Sequence, residues 1–120
     1  MNAGQFVYAW FWFDEAAAKK GEKIVGTTGK YRYVLLLDEV IGGFRACYTT
    51  TQSMNSVLDY EVVVSEKLSV KMGQKKSFKI DFMRRDFVSA GDVKSVHGSI
   101  TEDSDLLRRC AMAAKAAGIL

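Results

Sequence analysis

Residues 31–51 read YRYVLLLDEVIGGFRACYTTT, two mainly apolar runs on either side of a short polar turn. The first run is typical of a strand over 31–37 that stops at Asp38-Glu39, and Gly42-Gly43 provides the turn. The second run predicts a strand over 44–51 that ends in hydroxyls. A polar rim is therefore expected where this second strand ends.

Other runs along the chain extend the β pattern. Strands are predicted over 5–13, 60–64 and 78–83, and a short glycine-led strand over 98–100. Residues 14–30 are typical of a long polar loop with one helical turn over 16–20, and residues 66–77 of a charged connection. Within 78–83, alternation buries Phe78, Ile80 and Phe82 and projects Lys79 and Asp81 together from the exposed face.

A helix is predicted at the end of the chain. Thr101 is the expected N-cap and Gly118 the expected stop. Apolar and small residues recur between them at helical spacing, at Leu106, Cys110, Ala113, Ala114 and Ala117. The sequence therefore predicts a mostly β (α+β) fold. We expect a small, strongly bent barrel of about five to seven strands with a C-terminal helix, as one domain over residues 1–120.

The overall charge says little about partners, but its distribution is uneven. The formal net charge is only +3. Residues 66–85 are much more basic, and their cations are Lys67, Lys71, Lys75, Lys76, Lys79, Arg84 and Arg85, against the acids Glu66 and Asp81. Such an excess raises the association rate with a polyanion. A strand edge carrying lysines that prevent edge-to-edge pairing is the alternative interpretation.

Several classes of protein are disfavoured by what the sequence does not contain. The aromatic N-terminal run is too short to cross a bilayer as a helix and lacks the flanks of a signal peptide, so we expect a cytoplasmic protein without membrane contact. Cys47 falls in a predicted strand and Cys110 in the predicted helix, with no C-x-x-C and a single histidine. Buried free thiols are expected, with no metal and no cofactor.

The order of these motifs resembles the MazF/PemK family of toxin endoribonucleases, which are small SH3-like barrels that cut single-stranded RNA. The likeness spans nearly the whole chain. It is carried by Gly4 to Phe13-Asp14, Gly21-Glu22, Arg32 at the start of an apolar strand, Thr50-Thr51-Gln52-Ser53, residues 60–65, Lys79 two residues before Asp81, and residues 98–101. Tyr33 stands where the family usually has proline, and Phe82 where glutamine is frequent.

The resemblance implies the toxin of a toxin–antitoxin pair. Its activity would be metal-independent, sequence-specific cleavage of single-stranded mRNA, as a homodimer that a cognate acidic antitoxin restrains. The alternative is a non-catalytic member of the same barrel fold, either a gyrase-poisoning toxin or a module that binds RNA or protein. The joint presence of Arg32, Thr50 and Asp81 favours cleavage, because a pure binder has no chemical reason to hold all three together.

The chemistry of RNA cleavage suggests a role for each of these residues. Arg32 would stabilise the pentavalent phosphorane, Thr50 would donate its hydroxyl to a non-bridging oxygen, and Asp81 would serve as a base or an orienting group. A surface ion pair with Asp38 or Glu39 is the alternative for Arg32. Cross-strand hydroxyl pairing is the alternative for Thr50.

Further residues are expected to contact RNA or to support the site. The RNA-binding candidates are Lys75, Lys76, Lys79, Arg84, Arg85, Gln52 and Ser53. Glu22 would support the site from its loop, or simply solvate that loop. His97 is a candidate acid–base group, with a surface imidazole as the favoured alternative.

Aromatic residues could stack on unpaired bases. The candidates are Trp10, Trp12, Tyr31 and Tyr33. Alternation along the first strand allows either Trp10/Trp12 or Phe11/Phe13 to face inward. The other pair is then expected to lie outside the monomer core, under a homodimer interface.

Overall fold

The structure, a computed structural model, describes residues 1–119 and contains one antiparallel sheet of six strands. The strands are β1 (Gln5–Trp12), β2 (Gly29–Val40), β3 (Gly43–Thr50), β4 (Glu61–Val64), β5 (Phe78–Ser89) and β6 (Val93–Ser99). The helices are α1 (Glu15–Lys20), α2 (Glu66–Lys71) and α3 (Ser104–Ala116). The order across the sheet is β4-β5-β3-β2-β1-β6. A mostly β domain with a C-terminal helix is therefore confirmed.

The sheet curls without closing. β4 and β6 remain the two edges of the sheet in the described chain, so the structure is not a closed barrel. The curl brings β1 into contact with β5, although the two strands are not hydrogen-bonded neighbours. One apolar cluster fills the inside of this curl, and a second packs between the other face of the sheet and α3.

Three strands differ in extent from the sequence-based expectation. β2 continues through Asp38-Glu39 to Val40, because Asp38 pairs in register with Arg45 across the turn and forms an ion pair with it at 3.0 Å. β5 runs to Ser89 and β6 begins at Val93, so the predicted strands over 78–83 and 98–100 are too short. Charged residues in these extensions are tolerated because one face of each strand meets solvent.

The predicted charged connection over 66–77 contains the helix α2. Ser65 caps it by accepting a hydrogen bond from the Leu68 N–H at 3.3 Å. The buried Tyr33 hydroxyl donates a hydrogen bond to the carbonyl of Met72 at the end of this helix. The Tyr33 ring stacks on the Phe6 ring, with 5.1 Å between the two ring centres. Burial raises the pKa of Tyr33. Tyr33 thus ties α2 to the sheet.

The C-terminal helix begins later than expected. Asp103, not Thr101, is the N-cap, and its carboxylate accepts from the Leu106 N–H at 2.8 Å. Thr101 lies in a short 3-10 turn before it. The buried face is the predicted one, with Leu106, Cys110, Ala113 and Ala114 against the sheet. Both cysteines are free and buried as predicted, and burial raises the pKa of Cys110 to about 12.

The first strand is buried on both faces over residues 9–12, whereas Tyr8 is 40% exposed. Trp10 is 1% exposed, Phe11 2% and Trp12 5%, while Phe13 just beyond the strand is 38% exposed. The expectation that one aromatic pair remains uncovered is therefore wrong for the strand itself. The reason is that α1 folds back over the tryptophans through Ala17, while the curl of the sheet encloses Phe11. Homodimerisation stays a prediction.

Candidate phosphate-binding site

A polar cavity of about 270 Å³ opens where β2 and β3 meet the turn after β3. Val34 of β2 pairs in register with Tyr48 of β3. Arg32 and Thr50 lie two residues further along each antiparallel strand, so both lie on the same face and near each other. The lining residues are Lys30, Arg32, Tyr33, Tyr48, Thr49, Thr50, Thr51, Gln52, Gln74 and Phe78. The lining includes two cations and no carboxylate.

Arg32 is held by an aromatic ring rather than by an acid. Its guanidinium carbon lies 4.3 Å from the centre of the Tyr48 ring, a cation–π contact. Its Nε is buried and has no hydrogen-bond partner in the described chain. Arg32 forms no ion pair with either alternative partner, Asp38 or Glu39, and Asp38 is bound by Arg45 instead. An anion beside this guanidinium would offset the cost of burying part of it.

Thr50 stabilises the turn that follows β3. Its hydroxyl oxygen accepts a hydrogen bond from the Gln52 N–H at 3.0 Å, and the alternative of cross-strand hydroxyl pairing is not observed. The neighbouring Thr49 is buried and donates its hydroxyl to the Tyr33 carbonyl. Thr50 acts as an acceptor in its bond and keeps its hydroxyl hydrogen for a ligand in the cavity.

Lys79 does not project from an exposed face, and that prediction is wrong. The side chain is buried, and its ammonium donates to the Ser53 and Ser56 carbonyls, each at 2.9 Å, and to Glu61, with 3.1 Å to its Oε2. Because these three acceptors use the donors of an ammonium, Lys79 holds the turn after β3 against β4. The sequence signal for this ion pair was an acidic residue, Glu61, within the otherwise mainly apolar strand predicted over 60–64.

Asp81 lies near the cavity but does not line it. It pairs in register with Tyr48 on one side and with Glu61 on the other. One carboxylate oxygen accepts the Met83 N–H at 2.9 Å. Cys47 and Tyr48 are adjacent on β3, but residues 82–84 separate their partners on β5, Arg85 and Asp81. These extra residues form a bulge, and the Asp81–Met83 bond lies within it. Arg32 and Thr50 are thus brought together without Asp81.

Because of the bulge, two adjacent arginines line different cavities. The guanidinium carbon of Arg84 lies 4.0 Å from the centre of the Tyr48 ring. Arg84 lines a second polar cavity of about 210 Å³ with Tyr48, Thr50, Gln52, Ser53, Glu61 and Lys79. Arg85 instead lines a separate cavity of about 730 Å³ with Phe13, Asp14, Glu15, Ala18, Lys19, Arg45, Asp86 and Phe87.

Sequence reasoning missed Tyr48 and Lys30. Tyr48 contacts both guanidiniums and lines both small cavities, and Lys30 lines the first. Tyr48 had a detectable signal, because it alternates with Thr50 along the strand and so shares its face. Lys30 had none, since it fell in the predicted loop.

The other candidates lie away from the Arg32 cavity. Lys75 and Lys76 are exposed in the segment between α2 and β5, and Glu22 is exposed in its loop. His97 is half-buried. Its Nε2 lies 2.9 Å from the Ser95 hydroxyl oxygen, and its ring centre lies 5.6 Å from the centre of the Tyr33 ring. His97 is therefore a packing residue and not a surface imidazole.

Most of the proposed stacking residues are covered by other parts of the protein and cannot stack on a base. Trp10, Trp12 and Tyr33 are buried. Tyr31 is half-buried and carries the Lys94 ammonium 3.9 Å from its ring centre. Among these four aromatics only Tyr31 has surface left for a base.

No protein-family model matches the sequence, and no similar curated protein was found. In the described part of the chain, no helix is long and apolar enough to span a bilayer, and no three His, Cys, Asp or Glu side chains are grouped to hold a metal ion.

Proposed function

We propose that the protein is a metal-independent endoribonuclease that cleaves single-stranded RNA in the Arg32–Thr50 cavity. One observation carries this proposal. A partly buried guanidinium without an acidic partner and a hydroxyl with a free hydrogen line one cavity that contains no carboxylate. A cavity of this composition suits a phosphodiester, whose charge the guanidinium complements and whose oxygens accept from the hydroxyl.

The reaction we propose is transesterification by the RNA itself. The ribose 2′-oxygen forms a bond to the adjacent phosphorus while the bond from phosphorus to the 5′-oxygen breaks. The 2′-hydroxyl proton passes to water, and water returns a proton to the departing 5′-oxygen. Arg32 and Thr50 stabilise the additional negative charge on the non-bridging oxygens in the transition state. The products are a 2′,3′-cyclic phosphate and a 5′-hydroxyl.

Asp81 has an orienting role in this proposal. It does not line the Arg32 cavity, and its bond to the Met83 N–H supports the bulge that contains Arg84. We therefore assign Asp81 to the geometry of the site rather than to proton transfer.

The biological setting implied by the MazF/PemK resemblance is part of the same proposal. The protein would be the toxin of a toxin–antitoxin pair with an SH3-like barrel fold, and the curled six-stranded sheet supports that fold assignment. A cognate antitoxin would place acidic side chains over Lys30, Arg32 and Arg84, and would compete there with RNA. A homodimer and a cytoplasmic location belong to this proposal as well.

The test is incubation of the purified protein with single-stranded RNA in EDTA, followed by analysis of the product ends. We expect 2′,3′-cyclic phosphate ends from RNA and no cleavage of DNA with the same sequence, which lacks the nucleophile. Arg32→Ala should lower the rate by ~10²–10³. Arg45→Ala is the matched control, because Arg45 is bound to Asp38 outside the cavity. Intact RNA with a folded wild-type protein would contradict the proposal.

A non-catalytic RNA- or protein-binding module is the second candidate. The observation that favours it is the absence of any carboxylate or imidazole from the lining of the Arg32 cavity in the described chain. Binding of RNA with no cleavage over a range of RNA sequences would support this candidate.

A further inference from the structure

Tyr48 lies between two arginines that come from the strands on either side of it. β3 is hydrogen-bonded to β2 along one edge and to β5 along the other. Arg32 of β2 places its guanidinium carbon 4.3 Å from the ring centre, and Arg84 of β5 places its own at 4.0 Å. The π system of the ring stabilises each cation and holds both side chains in place.

The two cations lie in neighbouring cavities with a common wall. The Arg32 cavity and the Arg84 cavity share Tyr48, Thr50 and Gln52 in their linings. Neither guanidinium forms a salt bridge to a carboxylate within residues 1–119. Glu61 in the Arg84 cavity is bound by Lys79. Two uncompensated cations at this separation repel each other, so each is stabilised by an anion of its own.

We propose that the Arg84 cavity is a second phosphate subsite, so that this face binds two consecutive phosphates of one nucleic-acid strand. This inference rests on the proposed function for the nature of the first subsite. Both guanidinium carbons lie within 4.3 Å of one ring centre, so the two cations are close enough to contact neighbouring phosphates of a single strand. Ligands with one phosphate, such as a mononucleotide, would fill only half of the site.

The bulge in β5 supplies a matched control for this proposal. Arg84 and Arg85 are adjacent and carry the same charge, but only Arg84 contacts Tyr48. Arg85 pairs in register with Cys47 and lines the cavity that also contains Asp14, Glu15 and Asp86. Replacing either arginine removes one positive charge, so a difference between the two variants reports the position of the charge and not the net charge.

The experiment compares ligands that differ by one phosphate. Oligomers of 2′-O-methyluridine cannot be cleaved by the proposed reaction, so the dimer with one phosphate and the trimer with two can be titrated by calorimetry. We expect wild-type protein to bind the trimer at least about tenfold more tightly than the dimer, the range for a charged hydrogen-bond contact. Arg84→Gln should bind the dimer as the wild type does and lose most of that gain. Arg85→Gln should keep it.

Salt dependence gives a second readout on the same variants. Each phosphate contact on a single strand contributes about 0.7 to the slope of log affinity against log salt concentration. Arg84→Gln should lower the slope for the trimer by about 0.7, and Arg85→Gln should leave it unchanged. The second subsite is ruled out if Arg84→Gln keeps the full gain and slope, or if Arg85→Gln loses as much. A missing cyclic phosphate product with an intact trimer-to-dimer gain would reject only the proposed cleavage.

Discussion

Arg84 and Arg85 are neighbours in the sequence, yet they line cavities of different charge. Arg84 joins Arg32 around Tyr48, where the one carboxylate that lines either cavity in the described chain, Glu61, is already bound by Lys79. The cavity of Arg85 also contains three carboxylates, from Asp14, Glu15 and Asp86. A basic segment of sequence is therefore not a basic surface. The bulge between Asp81 and Arg85 divides one cluster of cations between a face that attracts anions and a face that is internally balanced.

The largest effect on stability is expected from the one lysine of the basic segment that is buried. Lys79→Met should lower the free energy of unfolding by about 3–5 kcal/mol, because it leaves Glu61 buried with its charge unpaired. Urea denaturation measures this change. Lys75→Met, at an exposed position, should change it by no more than about 0.5 kcal/mol. Equal small effects would mean that Lys79 is not a structural cation.

The next largest effect should come from the ring that both arginines share. Tyr48→Leu removes two cation–π contacts and should weaken binding of single-stranded oligonucleotides by about tenfold, while Tyr48→Phe keeps the ring face and should bind like the wild type. Fluorescence anisotropy at fixed salt measures both. Phe13→Leu, at an exposed aromatic that lines the Arg85 cavity instead, is the control. A large loss in Tyr48→Phe would instead point to the hydroxyl.

A smaller effect separates the two possible roles of Asp81. If it supports the bulge, Asp81→Asn keeps an acceptor for the Met83 N–H and should retain RNA cleavage within about threefold, whereas Asp81→Ala loses a bond worth about 0.5–1.5 kcal/mol. If Asp81 were the base, both variants would lose ~10²–10⁴ in rate. Single-turnover cleavage rates distinguish these outcomes.

The smallest effect concerns the balanced cavity. Burial, with a lesser contribution from Asp14 and Glu15, raises the pKa of Asp86. The ionised carboxylate therefore destabilises the folded state at neutral pH, and this penalty is relieved as the pH falls through the raised pKa. Asp86→Asn should be slightly more stable than the wild type at pH 7. The difference should vanish below the ordinary aspartate pKa of about 3.9, and thermal unfolding across this pH range checks it.

Local patterns were sufficient for most of the fold. The aromatic and β-branched runs identified the strands, and helical spacing identified the buried face of α3. The end of β2 was not predictable from propensity, because Asp38 is a poor strand residue on its own and is accommodated by Arg45 across the turn. The burial of residues 9–12 of β1 on both faces depends on the curl of the sheet and on α1, and neither can be predicted from a local pattern.

The candidate site was predictable only where strand alternation applies. Arg32 and Thr50 share a cavity as the polar rim suggested, because they lie on the same face of adjacent strands. The different positions of Lys79, Asp81, Arg84 and Arg85 depend on a bulge and on a turn that folds back onto β4. Long-range hydrogen bonds set both features, so the charges along the segment do not predict where these side chains lie.

The most direct test of the phosphate-binding face is the response of individual arginine side chains to a ligand. Guanidinium signals in ¹⁵N NMR spectra can be followed while the uncleavable 2′-O-methyluridine trimer is added. We expect the signals of Arg32 and Arg84 to shift, and those of Arg45, bound to Asp38, and Arg85 to remain in place. Shifts at Arg45 and Arg85 with no change at Arg32 would contradict the account.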